Sequence, residues 1–359
     1  MSITNIQILP SDFLEYLIIL ASLTTYKNPC HLRVFRRKIR VELSLVWVGY
    51  FFPNPLNNII MNNNKNFTVQ DAKQGQIGGI ITGLDINKLS INAPELEEIR
   101  NAIYRNKLIV IRNQNFTPAE YVAFTKKLGT PQIYLQSNYH HPDYPEIFVS
   151  SNVKEKSKKI GVAGTGGYWH TDCQFQQNPL PFTSITPVLI PPTRRKTYFI
   201  DMHRVYQELP EKLKELVVNA TMVHGGNNRY KVTIEDIDQS IAQLIKKMNQ
   251  LAPPVKHPAV IEHPVTKDKI LYMSRGFTMK IDGLSYEENQ KVMNELFEFI
   301  EKEEHITAHS WKKGDLIIWD NRYLLHKSSS IPNGEQSKSY RIGIYDQYPF
   351  YEGLKKSRA

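Results

Sequence analysis

The chain of 359 residues carries 45 Lys and Arg against 35 Asp and Glu, a formal charge of +10, with 41% hydrophobic and 22% charged residues. Its 15 Phe and 19 Tyr supply ample core, which excludes whole-chain disorder and a disulfide-stapled mini-protein. Two cysteines, Cys30 and Cys173, cannot build a disulfide framework and predict a reducing, cytoplasmic setting, while the positive charge points to nucleic acid, an anionic surface or small anions.

The first 65 residues read differently from the rest. Phe13 to Leu23 is an apolar run broken by Glu15 and followed by the basic residues Arg33, Arg36, Arg37, Lys38 and Arg40. The run is shorter than the roughly 20 apolar residues of a bilayer span. Its positive charge comes after the apolar stretch, the reverse of a signal peptide. We read residues 1–65 as an atypical extension, mis-started or disordered, ahead of one domain over 66–359, and expect no membrane partner.

From Phe67 the punctuation becomes regular. Gly78 to Asp85 alternates as a short strand and turn. Pro94 to Lys107 places Leu96, Ile99 and Ile103 on one helical face, and Leu108 to Ile111 reads as a buried strand. Thr117, Pro118 and Glu120 form the capping box of a helix to about Leu128, and Ser285 with Glu288 opens a longer one to about Glu303. Short strands are predicted at Phe148–Ser150, Tyr198–Asp201, Ile270–Ser274, Leu316–Trp319 and Arg341–Tyr345. Their spacing, with Pro and Gly turns between them, predicts a mainly β protein with flanking helices, a barrel or sandwich.

Chemistry concentrates in Tyr168-Trp169-His170-Thr171-Asp172. An imidazole and a carboxylate two residues apart on a strand or its edge point to one side and could share a metal. They are one ligand short of the two-histidine, one-carboxylate triad that leaves three positions open on non-haem iron. His326, a short connector beyond Trp319-Asp320-Asn321-Arg322, is the candidate third ligand.

Taken together, His170-Thr171-Asp172, Pro191 to Met202, His263-Pro264-Val265, Leu271-Tyr272, Gly276-Phe277-Thr278 and Trp319-Asp320-Asn321-Arg322 before His326 resemble the TauD/TfdA family over about residues 70–347. The resemblance implies a double-stranded β-helix of jelly-roll, cupin-like kind and a dioxygenase using Fe(II), 2-oxoglutarate and O2. It implies metal ligation by His170, Asp172 and His326, and a grip on the far carboxylate of 2-oxoglutarate by Thr197 and Arg341, with Arg195 a further candidate. A buried carboxylate needs a charge-assisted partner such as arginine, and a hydroxyl fills a remaining lone pair.

Taurine dioxygenases carry a second arginine four residues beyond the first, where this chain has Tyr345, and a phenol cannot neutralise a sulfonate. Tyr134, Tyr139 and Lys231 instead resemble the substrate-carboxylate set of the isonitrile-forming branch. That implies conversion of an N-carboxymethyl-3-aminoalkanoic acid to a 3-isocyanoalkanoic acid. One departure is Ser330, where that branch has histidine. The alternative is a hydroxylase of another small carboxylate or amino acid. No aromatic-interleaved basic stripe supports nucleic-acid binding, so the expected partner is a small-molecule carboxylate; homo-oligomerisation is left open.

Overall fold

Leu316–Asp320 shows how the fold is assembled, because all five residues of this strand are buried. Alternate side chains serve opposite faces of a strand. Ile317 and Trp319 enter a core with Phe199, Met202, Leu324 and Leu325. Leu316 and Ile318 enter a second core with Leu96, Ile99, Ile103, Tyr121 and Phe124, contributed by helices. A strand covered on both faces reads as an unbroken apolar run, as Leu-Ile-Ile-Trp does here.

The computed structural model describes residues 67–354 except 156–157, 194, 227–228, 230–231 and 233–235. The extension expected over residues 1–65, its basic cluster included, lies outside the described residues. The large sheet has eight strands, in the order Thr68–Gln70, Gly79–Thr82, Leu108–Ile111, Leu316–Asp320, Phe182–Leu189, Lys338–Tyr345 and Thr130–Pro131, with Phe148–Ser151 also paired to Lys338–Tyr345. A smaller sheet runs Ile306–Ser310, Lys196–Asp201, Leu324–Ser328. Phe199 of the smaller sheet meets Trp319 of the larger edge-on at 5.5 Å, so side chains of both sheets fill the space between them. This is the mainly β, cupin-like jelly roll expected.

The helices end where their local chemistry says they should. Pro94–Asn106 stops at Lys107, whose φ of 62° cannot continue a helix. Thr117 and Glu120 close the capping box of Pro118–Leu128, and Ser285 and Glu288 that of Tyr286–Ile300. Several elements escaped the sequence pattern, among them the helices Met202–Glu208, Glu211–Val217 and Ile241–Leu251 and the strands Phe182–Leu189, Thr221–His224, Ile306–Ser310 and Leu324–Ser328. Phe182–Leu189 follows Pro181 and contains Pro187, which reads as a breaker. In the sheet, Pro187 sits beside the register shift at Lys338/Ser339, where a missing N–H is tolerated. The helix Ile241–Leu251 carries its own capping box, Ser240 with Gln243, and repeats Ile241, Leu244, Ile245, Met248 and Leu251 at helical spacing, yet buries only Met248. Among the described residues no helix is long and apolar enough to cross a membrane.

Candidate metal centre and its pocket

His170 does not lie in an extended strand. It makes a single antiparallel bridge to His326, N to O at 3.1 Å and 2.7 Å in the two directions, and a turn follows at once. That bridge fixes the two imidazoles side by side, with ring centroids 4.1 Å apart. Asp172 completes the group. Each histidine Nε2 stands 3.8 Å from a different Asp172 carboxylate oxygen, and the three donor groups all lie within 4.8 Å of one another.

The donor set fits a divalent metal. His170 Nδ1 donates to the Tyr168 carbonyl at 2.7 Å, so its Nε2 keeps a lone pair facing Asp172. His326 Nδ1 is buried without a hydrogen-bond partner. Burial holds both imidazoles below the usual histidine range, hence neutral and able to ligate. For Asp172, burial alone would favour protonation, but Arg341, His326, His170 and the Thr183 hydroxyl together keep it ionised. Burial, reinforced by Asp172, pushes the thiol of neighbouring Cys173 up to about 12.

The Trp319-Asp320-Asn321-Arg322 motif holds the ligand turn in place. Asn321 Oδ1 accepts from the Trp319 indole at 2.9 Å, and its carbonyl accepts from Thr171 Oγ1 at 2.7 Å. Asn321 Nδ2 donates to Thr183 Oγ1 at 2.8 Å, and Thr183 in turn donates to Asp172 Oδ2 at 2.6 Å. Thr183 was missed in the sequence because it lies on the proline-flanked strand. Asp320 accepts from both His263 Nε2, at 3.0 Å, and Arg322, at 3.2 Å, which accounts for the His263-Pro264 motif. Arg322 also donates to the Phe350 carbonyl and to Asp346, so its buried charge is matched on several sides.

One pocket opens over the triad, and His170, Asp172, His326, Thr197, Arg195, Arg341, Tyr134 and Tyr139 all line it. Thr197 is buried and accepts from the Trp311 indole at 2.9 Å; because indole only donates, the threonine O–H remains available to a carboxylate. Arg195, two residues earlier, donates to Ser337 Oγ at 3.3 Å. Arg341 donates directly to Asp172 and lies over the Phe148 ring, 4.1 Å from its centroid. Tyr139 stacks on Phe148 at 4.3 Å and meets Tyr134 at 5.3 Å, and the Tyr134 ring lies 5.8 Å from the Arg341 guanidinium. Burial raises the Tyr134 phenol well above its usual range, leaving it a neutral donor. Lys231 lies outside the described residues. Tyr345 is absent from the pocket wall: its hydroxyl donates to Gln176 at 3.3 Å and accepts from Gln132 at 3.0 Å. Sequence reasoning also missed the pocket residues Tyr168, Phe148 and Arg229, which belong to no metal-ligand pattern.

A match to the family model described as "Taurine catabolism dioxygenase TauD, TfdA family" spans residues 68–342. The chain belongs to the TauD/TfdA dioxygenase family. It is accordingly an Fe(II)- and 2-oxoglutarate-dependent dioxygenase that consumes O2. Among curated family members it is 26% identical to pentalenolactone F synthase of Streptomyces arenae over 75% of this chain and 93% of that protein. It is also 26% identical to the alpha-ketoglutarate-dependent 2,4-dichlorophenoxyacetate dioxygenase of Cupriavidus pinatubonensis, over 66% of this chain and 84% of that one. A solved structure of AAD-2 in complex with Mn(II) and N-oxalylglycine shares the fold, with a TM-score of 0.62 and 22% identity over 80% of this chain and 100% of that one.

Proposed function

We propose that His170, Asp172 and His326 hold the iron, and that the enzyme converts an N-carboxymethyl-3-aminoalkanoic acid into a 3-isocyanoalkanoic acid. An iron held there would supply O2 activation, with O2 as the four-electron oxidant, two electrons coming from the oxidative decarboxylation of 2-oxoglutarate to succinate and two from the substrate. Thr197 and Arg195 hold the far carboxylate of the co-substrate in this reading, which departs from the expected grip by Thr197 and Arg341 because Arg341 lies against Asp172. Arg341, already against Asp172, closes the metal end and faces the substrate with Tyr134 and Tyr139; Lys231 completes that set. The observation that carries this reading is the cation and two phenols packed beside the triad, a grip for a carboxylate near the oxidised carbon. The name of the dichlorophenoxyacetate relative supports it, since that acid carries the same X–CH2–carboxylate unit with oxygen in place of nitrogen.

The chemistry balances over two turnovers. The N–CH2–COOH unit loses four hydrogens and releases CO2, leaving N≡C. Each turnover takes two of those hydrogens and consumes one O2 and one 2-oxoglutarate, releasing succinate, CO2 and water. Residues of the chain contribute by orienting the carboxymethyl group and by keeping the co-substrate end apart from it.

The test is enzyme loaded anaerobically with Fe(II) and 2-oxoglutarate, then given O2 and a panel of N-carboxymethyl-3-aminoalkanoic acids. We expect the isonitrile mass with two succinates per product. Succinate with a product heavier by one oxygen and no isonitrile would replace this reading by a carboxylate hydroxylase.

A further inference from the structure

Nine arginines are described between residues 67 and 354, and seven of them pair with a carboxylate: Arg100, Arg105, Arg112, Arg204, Arg275, Arg322 and Arg341. Among the described residues, Arg195 and Arg229 meet no carboxylate, and both line the pocket over the triad. Guanidinium groups turned into a cavity without a counterion ask for anionic ligands. Arg195, beside Thr197, is taken by the co-substrate in the reading above. Arg229 then remains.

Its setting differs from that of Arg195. The Arg229 guanidinium lies over the Tyr168 ring, 3.9 Å from the centroid, and its Nε donates to the Gly276 carbonyl at 3.3 Å. The Tyr168 ring in turn lies 4.8 Å from that of His170. One aromatic ring therefore separates this cation from a metal ligand, whereas Arg341 touches one directly. With Nε committed to backbone, the two terminal nitrogens keep the planar donor pair that suits a carboxylate. Phe175 and Phe277 share this wall of the pocket, which strengthens an ion pair formed there by limiting water.

We infer that Arg229 binds a second carboxylate of the substrate, the acyl C1 group, so that the enzyme accepts the free diacid and discriminates against substrate esterified or thioester-linked at that carbon. This rests on the N-carboxymethyl reading: the carboxymethyl group sits at Arg341 and the phenols, and the acyl carboxylate reaches outward across Tyr168. A plain monocarboxylate would leave Arg229 unused.

The experiment compares N-carboxymethyl-3-aminobutanoic acid with its C1 methyl ester on the full chain loaded with Fe(II) and 2-oxoglutarate. Binding is measured anaerobically by calorimetry, and product by mass after O2 is added. Wild type should bind the diacid roughly tenfold to a hundredfold more tightly than the ester. Arg229→Gln should erase most of that preference by weakening the diacid alone, and Arg229→Lys should restore part of it. A preference that persists in Arg229→Gln, or a wild type that binds both compounds equally, overturns the inference. Isonitrile formed equally from acid and ester would sink the Arg229 assignment while leaving the reaction in place. An Arg229-dependent preference without isonitrile would do the reverse, and no binding of either compound would remove both.

Discussion

Asp172 accepts from Thr183, pairs with Arg341 and faces two imidazoles, so its charge is shared between a metal position and a guanidinium. Replacing it by Ala removes the one anionic ligand, and we expect succinate formation dependent on 2-oxoglutarate to fall to background while a control addition of Fe(II) fails to rescue it. Near wild-type turnover in Asp172→Ala would reject the triad. The two pocket arginines separate by the same reasoning. Arg195→Gln should raise the 2-oxoglutarate KM by roughly a hundredfold or more, from the about 3–5 kcal/mol that losing one partner of a buried ion pair costs. Arg341→Gln should act mainly on the substrate KM. If steady-state kinetics show Arg341→Gln carrying the co-substrate effect and Arg195→Gln none, the assignment is reversed. At this scale the candidate ligands were legible in the sequence, and folding brings His170, Asp172 and His326 within 4.8 Å of one another. Thr183, Tyr168 and Arg229 were not legible, since each gains its role only from a neighbour far along the chain.

At the scale of elements, the ligand turn is braced from two sides. The asparagine after the central strand ties it from one side, and Gly276 presses on it from the other, its N–H donating to the Trp169 carbonyl at 3.0 Å. A Cβ on Gly276 would stand 2.8 Å from Tyr168 Cδ2 and 2.9 Å from that carbonyl oxygen, and the backbone atom has nowhere to go. Gly276→Ala should therefore cost about 1–3 kcal/mol, as overpacking does. It should also displace Tyr168 from His170, weakening Fe(II) binding. Urea unfolding and an anaerobic Fe(II) titration check the two effects, and an unchanged titration would show that the turn is held without this contact. Helix starts were legible because capping boxes are local. The strand Phe182–Leu189 was not, because Pro187 is acceptable only at the register shift its partner supplies.

For the molecule as a whole, a buried histidine sets part of the pH dependence of stability. His224 is fully buried, with Nδ1 3.2 Å from Thr278 Oγ1 and Nε2 without a partner. Burial, reinforced by His257, lowers its pKa from 6.5 to about 3. A depressed folded-state pKa means that the unfolded chain binds the proton more readily below pH 6.5. The stabilisation is thus complete above that value and is lost as pH falls toward about 3. Between pH 7 and pH 5 we expect about 2 kcal/mol of destabilisation from this group. Denaturant titrations at the two pH values should show a shallower slope in His224→Gln than in wild type. Equal slopes would assign the effect elsewhere.

By itself the sequence pointed to the class of reaction through its resemblance to the TauD/TfdA family, which the HxD pair, the later histidine and the Trp-Asp-Asn-Arg strand end help to carry. It also pointed to a β-rich class and to the helix starts at Thr117 and Ser285, where capping boxes are local. Only tertiary structure decided which charges are spent on the protein and which are free for ligands. Of the nine described arginines, Arg100, Arg105 and Arg204 find carboxylates close by in sequence, Arg112, Arg275 and Arg322 reach carboxylates far along the chain, and Arg341 lies against the candidate ligand Asp172; folding alone brings the distant pairs together. Arg195 and Arg229 stand out as binding groups because folding leaves them facing the same pocket with no counterion of their own.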